Sequence, residues 1–276
     1  MEAIRDQFAQ WVQGPEDRIE LVEAALLIAR TAYPDIKSSD YTRLLEAWGR
    51  RLRKQTAPYS SAGDILRELN RMMFTQEGFK GDADNYYDPQ NSFLNRVLER
   101  KKGIPITLSL VYSEVGGLAG FPVQGIALPG HFIVGLFHEA GTLYIDPFNQ
   151  GEVLAERECR KMIEVRFGRQ AAADASWRKP AGKKTILKRM LRNLKAIYHH
   201  SGRDLQTLEM IQWILAIDPD APAELKQRGL LYEAMGNFAS AVLDFKHYLE
   251  VAPSAEDEQI IKRKITLLDG SRQKMH

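Results

Sequence analysis

Residues 91–148 read NSFLNRVLERKKGIPITLSLVYSEVGGLAGFPVQGIALPGHFIVGLFHEAGTLYIDPF, and this stretch decides the fold. Between Ser92 and Arg100, Phe93, Leu94, Val97 and Leu98 recur at helical spacing, which predicts a helix that Gly103 stops. A second helix is expected from near Pro105, because a first-turn proline lacks only an N–H that has no intrahelical partner. It carries Leu108, Leu110, Val111 and Val115 and runs into Gly116, Gly117 and Gly120. Two β-type runs follow, Val123–Leu128 and His131–Phe137, separated by Pro129-Gly130. A turn at Glu139-Ala140-Gly141 leads to a third run, Thr142–Ile145.

A glycine before a buried helix, a histidine opening a strand and an Asp-Pro closing the next strand resemble a transglutaminase-like core. The closer resemblance is to the SirB family of bacterial transglutaminase-like proteins with C-terminal tetratricopeptide repeats. It is carried by Asn91-Ser92-Phe93-Leu94, Gly103-Ile104-Pro105-Ile106-Thr107-Leu108-Ser109, Pro129-Gly130-His131-Phe132 and Ile145-Asp146-Pro147-Phe148. The resemblance implies an α+β fold: a mostly helical, papain-related core with a small antiparallel sheet, followed by a helical repeat domain. It also implies a base at His131, an orienting carboxylate at Asp146 and a thiol at the helix start, where the helix N-terminus favours thiolate. Ile104, Pro105 and Ile106 occupy that start here, and none can attack a carbonyl. A His–Asp dyad is therefore expected without its nucleophile. Thr107 and Ser109 are nearby, but a helix-embedded hydroxyl usually bonds back to a carbonyl of the preceding turn. Cys159, the only cysteine, lies in the helix-like stretch Glu156–Ile163, after both His131 and Asp146, and reads as a small packing residue. The structural alternative for the dyad is a charge-assisted hydrogen bond that simply holds two strands together.

Outward from this stretch, the 276 residues exceed one ordinary domain, and 44% hydrophobic with 27% charged residues is a globular composition. A lone cysteine excludes an internal disulfide and suits the cytoplasm, the expected location. One Cys and six His without regular spacing make no zinc pattern, and no cofactor is expected. The N-terminus carries Glu2 and Asp6 and no long apolar run, so neither a signal peptide nor a membrane span is read there. A net charge of +2 implies no partner class by itself.

Residues 1 to about 75 read as helices that need the core segment as cover. Ile4, Phe8 and Trp11 share a face; Glu20–Tyr33 is apolar enough to be buried and is ended by Pro34. Ser39 or Asp40 could cap a third helix bearing Leu44, Leu45, Trp48 and Leu52, and Ser60 or Ser61 starts a fourth. Thr75–Asp88 is a polar loop with four acids whose spacing does not fit an EF-hand. Its aromatics, Phe79, Tyr86 and Tyr87, are expected to pin it to the body.

Residues 1–175 are assigned to the core with its N-terminal helices, 176–185 to an exposed linker and 186–276 to repeats. From Arg178 to Lys195 there are eight basic residues and no acid, a solvated face or a contact for an anion. Leu191, Tyr198, Gly202 and Pro219 recur as Leu225, Tyr232, Gly236 and Pro253, each 34 residues on, the tetratricopeptide period. Gln259–Leu268 is expected to cap the array. The functional expectation is a non-catalytic protein-interaction protein on a degenerate core. A protein or peptide would bind the repeat surface, where Tyr198 and Tyr232 are candidate contacts. The alternative is a cysteine-independent hydrolase or acyl-transfer enzyme using His131 and Asp146.

Overall fold

The computed structural model describes residues 2–56, 61–139, 141–254 and 256–273. Ser60 and Ala140, named above, lie outside them. The chain divides into two units, 1–190 and 191–276.

The first unit begins with four helices: α1 (Glu2–Gln13), α2 (Leu21–Ala29), α3 (Ser38–Gln55) and α4 (Ala62–Asn70). Seven of the nine residues of α2 are buried, as an apolar run interrupted by Glu23 alone requires. Each fully buried Leu or Ile contributes roughly 1.5–3 kcal/mol. α3 starts at Ser38 with Lys37 in the capping position, so Ser39 and Asp40 fall inside its first turn. Ser61 caps α4 through a reciprocal bond with Asp64.

Then come β1 (Lys80–Gly81), α5 (Leu94–Arg100), β2 (Lys102–Gly103), α6 (Pro105–Leu118) and the strands β3 (Val123–Ile126), β4 (Ile133–His138), β5 (Gly141–Asp146) and β6 (Glu152–Leu154). The last four form an antiparallel sheet in chain order, and β1 with β2 forms a short parallel pair. α6 is the buried centre: Pro105 to Tyr112, Val115 and Gly116 are all buried. α5 is ended by Lys101 in the left-handed region, φ 59°, and not by Gly103, which belongs to β2. α7 (Glu156–Ala173) follows the sheet and turns sharply at Gly168.

The 176–185 stretch was expected to be an exposed linker. Ser176, Lys179 and Pro180 are exposed, but Trp177 is buried and the Ala181 N–H bonds the Gly125 carbonyl at 2.8 Å. Trp177 joins Tyr144, Ile163 and Cys159 in a small apolar cluster, so part of this stretch is anchored.

α8 (Lys183–His200) contains the division between the units; α9 (Asp204–Ile217), α10 (Pro222–Ala234), α11 (Phe238–Val251) and α12 (Glu258–Gln273) complete the second. Gly202 and Gly236, at the α8–α9 and α10–α11 turns, both take left-handed backbone, φ 65° and 75°. The 34-residue recurrence is thus a recurrence of helical hairpins. Ala241, Phe245 and Tyr248 of α11 pack with Leu225 of α10, and α12 adds Ile261 and Leu268. The fold is α+β: a mostly helical core with small sheets, then a helical repeat region.

Candidate functional site

Leu128-Pro129-Gly130-His131 is a tight turn in which the His131 N–H donates to the Leu128 carbonyl at 3.0 Å. Proline second and glycine third, with Gly130 at φ 75°, is the requirement of a type II turn. His131 therefore lies in the turn before β4 and does not open the strand. Two arginines brace the turn from outside: Arg189 donates to the Leu128 carbonyl at 3.0 Å and Arg166 to the Gly130 carbonyl at 3.2 Å.

Asp146 closes β5. β4 and β5 pair with Val134 opposite Ile145, so the turn before β4 and the end of β5 meet at one edge of the sheet. There His131 Nε2 and Asp146 Oδ2 lie 2.7 Å apart. Asp146 Oδ1 accepts the N–H groups of Phe148 and Asn149 at 3.0 and 3.3 Å, and Oδ2 also accepts Asn149 Nδ2 at 2.9 Å. The carboxylate caps its own following turn while orienting the imidazole. The His131 side chain keeps 16% exposure and that of Asp146 keeps 1%, so solvent reaches the ring and not the acid. Sequence reasoning missed Asn149; an Asp-Pro-x-Asn run, in which the Asp caps a turn, was the available signal.

No nucleophile stands at the helix start. Ile104, Pro105 and Ile106 are all buried. The Thr107 hydroxyl donates to the Asn91 carbonyl at 2.8 Å and accepts the Ile104 N–H at 3.1 Å, tying two of the matched motifs together. Ser109 Oγ donates to the Phe132 carbonyl at 3.3 Å. Cys159 is fully buried, and burial pushes its thiol up to about 11. A neutral thiol inside an apolar cluster is inert.

The polar loop also has a structural account. Asn91 Nδ2 reaches Asp82 and the Asn85 carbonyl, and Arg100 pairs with Asp82 and Asp88. Burial alone would raise the Asp82 carboxyl, but the Asn91 and Asn85 bonds hold it below its ordinary value. Phe79 packs edge-on to Trp48 at 5.7 Å, and Tyr86 meets Phe148, which in turn faces His131. Tyr87 is 77% exposed and meets the neighbouring Tyr86 ring at 5.3 Å.

Most of the basic run has partners inside its own unit. Arg178 pairs with Glu156, Lys183 donates to the Asp17 and Ile19 carbonyls, and Arg192 and Lys195 share Glu224. Of the two candidate partner contacts, Tyr198 is 6% exposed, and Tyr232 is half-buried with its hydroxyl 3.4 Å from Gln212 Nε2. No helix among the described residues is long and apolar enough to cross a membrane.

Comparison with known proteins agrees with this anatomy. The transglutaminase-like superfamily matches residues 39–192, and the tetratricopeptide repeat family matches residues 194–266. A UPF0162 protein of Xylella fastidiosa is 35% identical over 95% of this chain and 94% of its own length. One from Vibrio cholerae is 28% identical over 93% and 95%. F-box only protein 21 of Homo sapiens is 30% identical over 62% of this chain and 28% of its own length. The match of residues 39–192 to the transglutaminase-like superfamily and the 35% identity over 95% of the chain place this chain in that superfamily, among the UPF0162 proteins.

Proposed function

We propose that this protein is a non-catalytic interaction protein, kin to the SirB family, whose core is a degenerate transglutaminase-like domain and whose repeats hold a protein or peptide partner in the cytoplasm. One observation carries the reading. The helix start that would bear a thiol is built of Ile104, Pro105 and Ile106, and the sole thiol is buried elsewhere. In this reading His131 and Asp146 are a remnant dyad that now fixes the sheet edge. Repeat helices commonly hold extended or helical peptides on their surface. Tyr232, half-buried, would contribute to that contact, and Tyr198 would act by packing. Solvated lysines such as Lys179 leave the basic segment a secondary candidate for an anionic contact.

The second reading is a cysteine-independent hydrolase with His131 as base for a water. It draws on the 2.7 Å His–Asp contact and the partly exposed ring. Purified wild type, Cys159→Ala and His131→Ala, assayed on generic amide and ester substrates, separate the two. Removing a nucleophile from an acyl-transfer site can cost ~10⁶ in turnover, so no measurable turnover is expected. Activity lost in Cys159→Ala would overturn the proposal. Activity that survives Cys159→Ala and disappears in His131→Ala would establish the second reading in its place.

A further inference from the structure

The first unit holds a concavity that neither His131 nor Asp146 lines. It measures about 760 Å³ and lies between the start of α2, α3, the second half of α6, β3 and residues 180–186. That is within the roughly 300–1,000 Å³ typical of small-molecule sites. Its walls are mixed. Leu110, Val123, Phe132 and Ile186 give it apolar surface, and Ser109 and Ser113 line it with hydroxyls.

Glu114 stands on the α6 wall between these groups. Among the described residues, none makes a hydrogen bond or ion pair with its carboxylate; the charges acting on it are Glu20 and Lys183. Lys183 is committed: its ammonium donates to the Asp17 and Ile19 carbonyls at 3.0 and 2.7 Å. Glu16 is committed too, accepting the Lys184 N–H at 2.7 Å. Burial, with the nearby Glu20 charge, holds the Glu114 carboxyl above its ordinary value against the opposing pull of Lys183. Around the cavity Asp17, Glu20, Glu23 and Glu46 add negative charge, and Lys183 is the one base among its lining residues. A low-dielectric wall with charges of one sign favours a ligand of the other sign.

We propose that this cavity binds an amphipathic amine, whose apolar body lies against Leu110, Val123, Phe132 and Ile186 and whose ammonium pairs with Glu114. The ammonium supplies the missing partner, and the apolar body displaces water from the walls. A neutral ligand of the same shape leaves the carboxylate unpaired, and an anionic one adds repulsion.

Three compounds with one body and different heads test this on the full chain: 4-phenylbutylamine, 4-phenylbutanol and 4-phenylbutyrate, titrated at neutral pH and moderate salt by calorimetry. The amine is expected to bind about tenfold or more tightly than the alcohol, as a charge-assisted pair predicts, and the carboxylate weakest. Intermolecular NOEs should place the phenyl ring on the Leu110, Val123 or Ile186 methyls. Glu114→Gln should remove most of the amine's advantage over the alcohol, leaving the smaller preference set by Asp17, Glu20, Glu23 and Glu46. No binding by any of the three, an alcohol as tight as the amine in wild type, NOEs elsewhere, or an amine preference unchanged in Glu114→Gln would each overturn the proposal. Should Glu114→Gln fail to fold, the wild-type ranking with the NOE contacts decides the matter alone.

Discussion

Replacing Asp146 by Ala should unlock the edge of the sheet, and the size of the loss follows from its bonds. Its carboxylate accepts from the His131 ring, the Phe148 and Asn149 N–H groups and the Asn149 side chain. Asn149 is exposed, so its two donors turn to water at small cost. The Phe148 N–H and the His131 ring sit lower and lose an anionic acceptor. Hydrogen bonds to charged groups are worth about 1.5–3 kcal/mol each, so Asp146→Ala should cost about 3–5 kcal/mol. Asp146→Asn keeps one oxygen for the turn N–H groups, and a neutral imidazole can offer its lone pair to the new amide by changing tautomer. It should cost only about 1–2 kcal/mol. Urea unfolding gives the free energies by linear extrapolation, and hydrogen exchange of peptides spanning β4 and β5 localises the effect. A loss under about 1 kcal/mol for Asp146→Ala, with exchange in β4 and β5 unchanged, would refute the assignment of Asp146 as the structural hub of this edge.

Phe245→Ala should cost about 3–5 kcal/mol in urea unfolding, since the ring is fully buried against Gly229; a change under 1 kcal/mol would mean the repeat helices pack otherwise. Cys159 should resist a disulfide exchange reagent at neutral pH until denaturant is added, because it is buried and its thiol is pushed up to about 11; rapid labelling of native protein would contradict this. Burial would raise the Glu224 carboxyl, but the Arg192 hydrogen bond and the nearby Lys195 charge hold it below its ordinary value. A carboxyl lowered on folding adds stability above its unfolded range and loses it as pH falls through the folded value. Melting temperatures of wild type and Glu224→Gln should therefore differ at neutral pH and converge on acidification, and a gap that widens in acid would count against the pairing.

Some of this architecture is written in local pattern. α2 and α6 are legible because a largely buried helix needs apolar residues on most of its faces, and both carry them, α2 interrupted by Glu23 alone and α6 by Thr107, Ser109, Ser113 and Glu114. The hairpins of the second unit are legible because each repeat packs on its neighbour in the same way, so Gly202 and Gly236 meet the same turn and recur at the same offset. The turn before β4 is legible because proline followed by a left-handed glycine admits few backbone shapes. β1, β2 and β6 span only two or three residues, too few to show a period, and they exist because other segments pass beside them. Lys101 ends α5 in a conformation that its side chain gives no sign of. Charge was the least legible feature. A run of lysines and arginines reads the same whether its members face water or, like Lys183 and Arg189, donate to carbonyls far away in sequence. The pairing of His131 with Asp146 and a packing role for Cys159 are expectations that the chain itself raises, but the 2.7 Å geometry of the pair and a Glu114 carboxylate without a hydrogen-bond or ion-pair partner among the described residues came from tertiary structure. Sequence pattern encodes the period of burial along one element, whereas the partner of a polar group is set by whichever segment the fold brings against it.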